Sequence, residues 1–406
     1  MGQIRRADYT MPADVILRSM YSLYIHVPFC RQRCSYCDFN TYAGQEHLRA
    51  AYVEALCREV ALLAAAAGKR LVVHTVYFGG GTPSLLTPWQ VERVLESIAR
   101  HFSLQEGAEI SLEANPDTLD AAYLQALRAI GVNRLSLGAQ SAHPDDLRLL
   151  ERSHDFVAVI RAVEWARAAG FDNFNLDLIF GIPHQSLARW QWTLEQALAL
   201  RPEHLSLYAL TLEHGTPLAH WVGRGLLPAP DADLAADMYS WADERLREEG
   251  YAQYEISNWA RPGKACRHNL QYWRSLPYLG LGAGAHGYAA GTRTVNVLTP
   301  AGYIRRLGGG ARPRAFPRTP ATVEVRVLSP ADEMAEMMMM GLRLTQEGIG
   351  KRDFRRRFGR ELLAVYGEPI RRLVDQGLLG WAEDGERLRL TARGRLLGNW
   401  VFREFV

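Results

Sequence analysis

The sequence predicts an α/β fold: a partial (β/α)6 TIM-type barrel followed by a C-terminal α+β region that includes a winged-helix-like unit. Short β-rich runs alternate with helical periods through the first half of the chain, and polar residues recur where these runs end. Strand, helix and strand at this spacing indicate βαβ units with right-handed crossovers and a parallel sheet. On pattern alone, an open doubly wound sheet is the alternative.

Six β-rich runs are predicted to form the parallel sheet, with a helical period between successive runs. Pro88 opens one such helix and Ser186 caps another, as expected of these residue types at helix starts. Further along, a turn at 384–385 joins two short strands before a closing helix, which is the order of a winged-helix-like unit. The six runs are 22–29, 74–81, 109–115, 134–141, 174–181 and 204–212.

Size and composition bound the organisation of the chain. The 406 residues suffice for one large domain and a smaller one, and a net charge of +3 argues neither for nor against a polyanionic partner. We see no secretory segment and no apolar run of about 18 residues, so we expect a cytoplasmic protein without transmembrane segments or disulfides. The predicted regions are an N-terminal extension (1–20), the barrel core (21–222), a barrel-capping and linker region (223–320), and a helical and winged-helix-like domain (321–406).

Three cysteines, Cys30, Cys34 and Cys37, lie close together in the stretch HVPFCRQRCSYCDFNTY. Three thiolates can each hold one iron of a cubic iron–sulfur cluster and leave the fourth iron open to another ligand. A tetrahedral zinc site is the alternative, completed by His26 or Asp38. From the spacing alone, both kinds of metal centre stay open.

Glycines and acidic residues follow the next strands, at the edge where parallel βα folds keep their chemistry. The glycine run 79–81 lacks side chains, which lets the backbone approach a ligand closely or simply form a tight turn. Glu113 and Asp177 lie in apolar strands, where an unpaired charge is costly. A cationic ligand would satisfy them, and the alternative is a buried ion pair with an arginine such as Arg134 or Arg152.

The C-x3-C-x2-C spacing, with Tyr36 before the last cysteine and GGGTP (79–83) after the second strand, resembles the signature of the radical S-adenosylmethionine (SAM) superfamily. The resemblance implies a [4Fe-4S] cluster on Cys30, Cys34 and Cys37. It further implies that the open iron binds SAM through its amino and carboxylate groups, and that the cluster supplies the electron that cleaves the sulfonium.

Longer stretches, from about Tyr21 to the C-terminus, resemble the oxygen-independent coproporphyrinogen III dehydrogenases and their relatives. These stretches include YFGGGTPS, LEANPDTL, LSLGAQS, NLDLIFGIP and YLGLGAGAHGY. Thr211 and His286 stand where the dehydrogenases have apolar residues, so these two positions carry over weakly. Position by position, the resemblance implies SAM contacts at Tyr24, Gly80, Gly81, Thr82, Glu113, Gln140, Arg152 and Asp177.

One departure from the dehydrogenases concerns the second position after the third cysteine. The dehydrogenases have a fourth cysteine there, whereas this chain has Phe39. Together with the motif H-N-x-x-Y-W at 268–273, this form resembles the HemW branch, the haem chaperones. The resemblance implies that the protein binds haem as cargo and delivers it to acceptor proteins, with respiratory-chain haemoproteins as candidates. The alternative is a working coproporphyrinogen III dehydrogenase, which the missing cysteine disfavours.

His268 in that motif is a candidate axial haem ligand, because neutral imidazole binds iron well. Its alternative role is a hydrogen bond within the fold, and Cys266 is a weaker candidate ligand. The methionine-rich run 333–344 is interpreted as core packing, and the arginine-rich run 354–361 as a solvated face. No nucleic-acid partner is therefore predicted, and peripheral membrane contact is left open.

Overall fold

Strands and helices alternate along the computed structural model, which describes residues 20–406; the predicted N-terminal extension (1–20) lies outside them except for Met20. The strands are β1 (Met20–Val27), β2 (Phe29–Cys30), β3 (Tyr42–Ala43), β4 (Val72–Gly80), β5 (Ser103–Ala114), β6 (Arg134–Gln140), β7 (Phe174–Phe180), β8 (His204–Ala209), β9 (Ala252–Glu255), β10 (Asn258–Ala260), β11 (Tyr278–Leu281), β12 (His286–Ala289), β13 (Thr292–Asn296), β14 (Thr322–Val327), β15 (Ile349–Gly350), β16 (Leu379–Trp381) and β17 (Arg387–Leu390). The helices are α1 (Arg49–Ala67), α2 (Pro88–His101), α3 (Ala121–Ala129), α4 (Pro144–Leu149), α5 (Phe156–Ala168), α6 (Leu187–Ala199), α7 (Pro217–Gly223), α8 (Ala232–Glu248), α9 (Arg267–Trp273), α10 (Pro300–Arg306), α11 (Pro330–Gly341), α12 (Lys351–Phe358), α13 (Leu362–Asp375), α14 (Ala392–Leu396) and α15 (Gly398–Arg403).

The main sheet follows the order β14-β13-β12-β11-β1-β4-β5-β6-β7-β8-β10-β9. The six predicted strands, β1 and β4 to β8, are adjacent in chain order and pair in parallel. A doubly wound sheet would reverse its strand order at a switch point, and these six strands keep a single direction of succession. The partial barrel is therefore confirmed, and the open doubly wound alternative is excluded.

The sheet separates an apolar outer face from a polar lumen. Outward residues such as Leu23, Val76 and Phe78 are fully buried in one large core with the helices. Alternate residues of the same strands carry polar side chains inward, and many of these are buried too. The helices crossing back outside the sheet thus leave a lumen lined by polar side chains.

The region 223–320, together with β14 just beyond it, extends this sheet. β11 pairs in parallel beside β1, and β10 pairs antiparallel beside β8. β12, β13 and β14 continue the β11 side as antiparallel strands. Buried Glu59 of α1 ties this region to the barrel, because it accepts hydrogen bonds from the side chains of Asn296, Tyr303 and Thr319.

The C-terminal region has its own sheet and its own core. Its three strands pair in the order β15-β17-β16, and a turn after Trp381 joins the last two as the sequence indicates. Met334 and Met338 are buried in this core, so the interpretation of the methionine run as packing is confirmed. No helix of the described residues is long and apolar enough to cross a membrane.

Candidate functional site

The cysteine loop lies between two short strands that hold its ends together. Cys30 ends β2, which pairs in parallel with β3, so the loop carrying Cys34 and Cys37 begins and ends at one place. Cys30 is buried and the other two thiols are half-buried. Burial raises the pKa of Cys30 and Cys37, and neighbouring cysteines of the loop raise the pKa further. The three thiols therefore form one group, and its thiolate form needs a positively charged partner.

Two side chains donate hydrogen bonds to the cysteine sulfurs. Thr82 Oγ1 lies 3.5 Å from Cys30 Sγ, and Arg152 Nη1 lies 3.4 Å from Cys34 Sγ. Arg152 also donates through Nη2 to Asn115 Oδ1 at 2.7 Å and to a main-chain carbonyl of β6 at 3.0 Å. Donors and positive charge beside sulfur stabilise the thiolate, which is the state that metal ligation requires.

A single zinc ion fits this arrangement less well than a cubic cluster. Within residues 20–406, no three or more His, Cys, Asp or Glu side chains are close enough together to hold one metal ion. His26 uses both ring nitrogens, Nδ1 with the Tyr24 hydroxyl and Nε2 with the Asn40 carbonyl, each at 3.0 Å. Asp38 is exposed. A cube spreads its ligands more widely than one ion does, and so suits thiols that do not converge on a point.

The glycine turn after β4 packs directly against the cysteine loop. A Cβ at Gly81 would lie 2.7 Å from the Phe29 carbonyl oxygen, and one at Gly80 would lie 2.5 Å from the His26 ring. Gly80 also has a φ of +115°, which favours glycine. Two main-chain hydrogen bonds of 2.8 Å, to the end of β1 and to β2, hold the contact. This packing places the Thr82 hydroxyl beside the first cysteine.

Glu113 and Asp177 lie deeper in the lumen and accept hydrogen bonds from neutral groups. Glu113 accepts from the Tyr77 hydroxyl at 2.9 Å and from the Gly80 N–H at 3.0 Å. Asp177 accepts from a serine of β6 at 3.0 Å and from the Asn175 amide at 2.8 Å. Among residues 20–406 neither carboxylate lies within ion-pair distance of an arginine, although the charge of buried Arg134 lowers the pKa of both and so opposes the effect of burial.

Both carboxyl groups have a raised pKa, and Asp177 contributes to that of Glu113. Burial raises the pKa of Glu113 to about 7, and the nearby Asp177 raises it as well. Burial also raises the pKa of Asp177. Both side chains keep part of their surface accessible towards the lumen. A cation placed between them would favour the ionised form of both carboxyl groups. An ammonium or sulfonium group of a ligand would supply this positive charge.

The remaining predicted contacts surround the same space. The Tyr24 ring stacks on Tyr77, the residue that donates to Glu113, with centroids 6.3 Å apart. Gln140 ends β6 with a φ of +65°, a conformation that residues with side chains rarely adopt, and it is buried. Thr211 and His286 are exposed instead, and the Thr211 hydroxyl donates to Glu213 at 2.8 Å.

Tyr208 at the lumen mouth is a residue that the sequence reasoning missed. It follows His204 and Ser206 at alternate positions of β8, and it is 42% exposed although it stands on a central strand. The alternation of His204, Ser206 and Tyr208 was the available signal, because every second residue of a barrel strand faces the lumen.

The H-N-x-x-Y-W motif forms α9, which closes the barrel at the end opposite to the cysteine loop. Both carboxylate oxygens of buried Glu109 accept main-chain N–H bonds of 3.0 Å from the first turn of α9. The Cys266 thiol also lies 3.5 Å from Glu109, and burial raises the pKa of this thiol to about 12. A carboxylate at a helix N-terminus satisfies unpaired N–H groups and the helix dipole, so Glu109 fixes α9 in place.

His268 is fully buried within this plug. Its Nδ1 lies 2.8 Å from Thr75 Oγ1 and its Nε2 lies 2.7 Å from the Tyr272 hydroxyl. The ring stacks on Tyr77 with centroids 5.0 Å apart. Burial lowers the pKa of His268 to about 3, so the imidazole is neutral. Both ring nitrogens are thus engaged inside the protein, which is the alternative role considered for this residue; axial haem ligation stays a prediction that requires these bonds to break.

Two family models match the chain. The Radical SAM superfamily model matches residues 24–197, which hold the cysteine loop and the strands around the lumen. The HemN C-terminal domain model matches residues 328–397, which hold the C-terminal sheet and most of its helices.

Several curated proteins are similar over almost the whole chain. The Heme chaperone HemW of Bacillus subtilis is 37% identical over 95% of this chain and 99% of its own. The Heme chaperone HemW of Mycobacterium tuberculosis is 40% identical over 94% of each chain. A mitochondrial "Radical S-adenosyl methionine domain-containing protein 1" of Bos taurus is 38% identical over 88% of this chain and 81% of its own. Among solved structures, coproporphyrinogen III oxidase (HemN) of Escherichia coli shares the fold, with a TM-score of 0.80, 24% identity and coverage of 97% and 93%.

Proposed function

The chain belongs to the radical SAM superfamily and, among its HemN-like members, to the HemW branch, and on this premise we propose that it is a haem chaperone that binds haem and transfers it to acceptor proteins. The likeness to curated haem chaperones along nearly their full length carries the proposal. Phe39 supports it as well. The dehydrogenases have a fourth cysteine at this position, whereas this chain has a phenylalanine that is 63% exposed and supplies no thiol.

Two assays, one of haem binding and one of porphyrinogen turnover, distinguish a haem chaperone from the alternative, a coproporphyrinogen III dehydrogenase. Purified protein titrated with haemin should develop a Soret band, and the loaded protein should pass haem to an apo-haemoprotein. An anaerobic assay with reductant, SAM and coproporphyrinogen III should yield no protoporphyrinogen. Absence of haemin binding at micromolar concentrations would remove the chaperone proposal, and catalytic turnover to protoporphyrinogen would establish the dehydrogenase.

We further propose that Cys30, Cys34 and Cys37 hold a [4Fe-4S] cluster whose open iron takes SAM. When bound, the cluster supplies an electron for reductive cleavage of the SAM sulfonium, the chemistry of the superfamily. Arg152 and Thr82 then hold the ligating sulfurs as thiolates. The groups proposed to contact SAM lie on the barrel strands and on the loops that follow them, and they are Tyr24, Gly80, Gly81, Thr82, Glu113, Gln140, Arg152 and Asp177.

The affinity for SAM should fall as the pH is lowered through neutrality. A cationic ligand needs Glu113 ionised, and its pKa is raised to about 7 by burial and by Asp177. With a pKa of about 7 the ionised fraction falls from about one half at pH 7 to about one eleventh at pH 6, so we expect the affinity to drop about fivefold over this unit. Anaerobic calorimetry of cluster-loaded protein measures this.

Glu113→Gln provides the matched control for this pH dependence. The amide keeps the shape but cannot ionise, so the variant should bind SAM weakly and with a flat profile between pH 6 and pH 8. A steep profile that survives in Glu113→Gln would assign the titration to another group.

The haem ligand is tested at His268. Because both ring nitrogens are engaged in the barrel plug, His268→Ala should lower the free energy of unfolding by about 1–3 kcal/mol. Because His268 is also the predicted axial haem ligand, the haemin affinity should fall as well, by at least about tenfold, which corresponds to 1.4 kcal/mol. Haemin titration and urea unfolding of the same preparation measure the two effects. A folded variant that keeps the wild-type haemin affinity would show that His268 is not the axial ligand.

The partners of the chain are proposed only by class. Haem is the cargo, and respiratory-chain haemoproteins remain the predicted acceptors. The arginines of α12 favour the solvated-face interpretation over nucleic-acid binding: Arg355 pairs with Glu361 at 3.1 Å, and Arg357 donates to the Ser275 carbonyl at 3.0 Å. A cytoplasmic location and peripheral membrane contact stay predictions.

A further inference from the structure

β14 forms one edge of the twelve-stranded sheet. It pairs with β13 on one side, and in the described part of the chain no strand pairs with its other side. All of its residues except the first are exposed, including three valines: Val323 at 45%, Val325 at 46% and Val327 at 75%. Unpaired N–H and C=O groups beside exposed β-branched side chains are a template for another strand.

The side chains of β14 alternate between two chemically different faces. Arg326 lies opposite Arg293 in the ladder, which continues through β12 and β11 to Ser22, a lumen-side residue of β1. Arg326 and Glu324 therefore lie on the lumen side of the sheet. The three valines lie on the outer side, where helices cover the barrel strands but leave this edge exposed.

The sequence TVEVRV is complementary to its own reversed copy. In an antiparallel pair with the two-fold axis at Val325, Glu324 of each copy lies opposite Arg326 of the other. Val323 lies opposite Val327, so apolar side chains meet on one face and opposite charges meet on the other. Cross-strand pairs of both kinds stabilise antiparallel sheets.

No neighbouring register preserves this match. A two-fold axis at Glu324 places two carboxylates opposite each other, and an axis at Arg326 places two guanidinium groups opposite each other. A shift by a single residue sets valines against charged residues on the wrong faces. Charge complementarity thus selects a second copy of this strand as the partner, in the register centred on Val325.

We propose that β14 is a self-association edge, through which two copies of this chain join their main sheets by antiparallel pairing about Val325. Within one copy, Arg326 donates to Asp332 at 2.7 Å, an exposed ion pair of the kind that contributes little to stability. This contact orients the guanidinium and can be shared with Glu324 of the second copy. A closed two-fold dimer is the natural outcome of such an isologous contact.

Charge reversal of the full-length protein tests the pairing. A single-strand contact is small, so the wild-type chain should show a monomer–dimer equilibrium with a Kd on the order of 1–100 µM in sedimentation velocity. Glu324→Arg or Arg326→Glu alone should raise the Kd by at least about tenfold, because like charges then face each other twice. Circular dichroism checks that each variant is folded.

The decisive experiment mixes the two single variants. One variant then carries two cations and the other two anions at these positions, so an equimolar mixture should dimerise although neither variant does so alone. The double variant Glu324→Arg/Arg326→Glu should dimerise like the wild type. A wild-type chain that stays monomeric to about 200 µM, or single variants that dimerise unchanged, would overturn the proposal.

Discussion

Cys34→Ala is expected to reduce the iron and labile sulfide of anaerobically reconstituted protein from about four of each per chain to less than about one. Cys34 Sγ is one of only three thiols in the loop, and Arg152 donates to it at 3.4 Å. A cube held at three corners has no spare protein ligand, so one truncation removes a third of its anchoring. SAM affinity should be lost with the cluster.

Cys57→Ala is the matched control for this loss. Its thiol is also half-buried and free, but it lies on α1 and donates to the Arg93 carbonyl at 3.5 Å. This variant should keep full iron, sulfide and SAM affinity. Iron and sulfide analysis with electron paramagnetic resonance spectra reads out both proteins. Unchanged iron in Cys34→Ala, or one zinc ion per chain without sulfide in the wild type, would contradict the cluster assignment.

Glu109→Ala should lower the free energy of unfolding by about 3–5 kcal/mol, since it removes a buried carboxylate that accepts two main-chain hydrogen bonds, each worth about 1.5–3 kcal/mol. Arg134 is 2% exposed, and Glu109 is among the groups that hold its pKa above the ordinary value. The same truncation removes both acceptors of the first N–H groups of α9. The end of the barrel opposite to the cysteine loop would then lose its plug.

Glu106→Ala separates this effect from the general cost of substitution in β5. Glu106 lies on the same strand but is exposed, so its replacement should change stability by less than about 0.5 kcal/mol. Urea unfolding followed by circular dichroism compares the two variants. Near-equal stability of Glu109→Ala and the wild type would show that α9 does not depend on this carboxylate.

The sequence anticipated the barrel strands well because hydrophobic periodicity and chain order are local properties. The predicted run 174–181 became β7 (Phe174–Phe180), and Pro88 and Ser186 stand at the starts of α2 and α6 as predicted. The sequence did not predict that β11 lies beside the first barrel strand, although its stretch YLGLGAGAHGY carries part of the family resemblance. Its place beside β1 depends on pairing between residues more than 250 positions apart, which no local pattern reports.

The sequence by itself determined the donor chemistry of this protein: three closely spaced thiols, a glycine turn and two acidic residues on parallel strands. These follow from local spacing, because parallel strands bring their carboxyl ends to one edge. Only the tertiary structure decided which partners those groups meet. It placed Arg152 on a cysteine sulfur and neutral donors on Glu113 and Asp177, and it turned the H-N-x-x-Y-W motif into a buried plug held by Glu109. Such long-range contacts arise from the packing of whole strands and helices, and single residues carry no local signal for them.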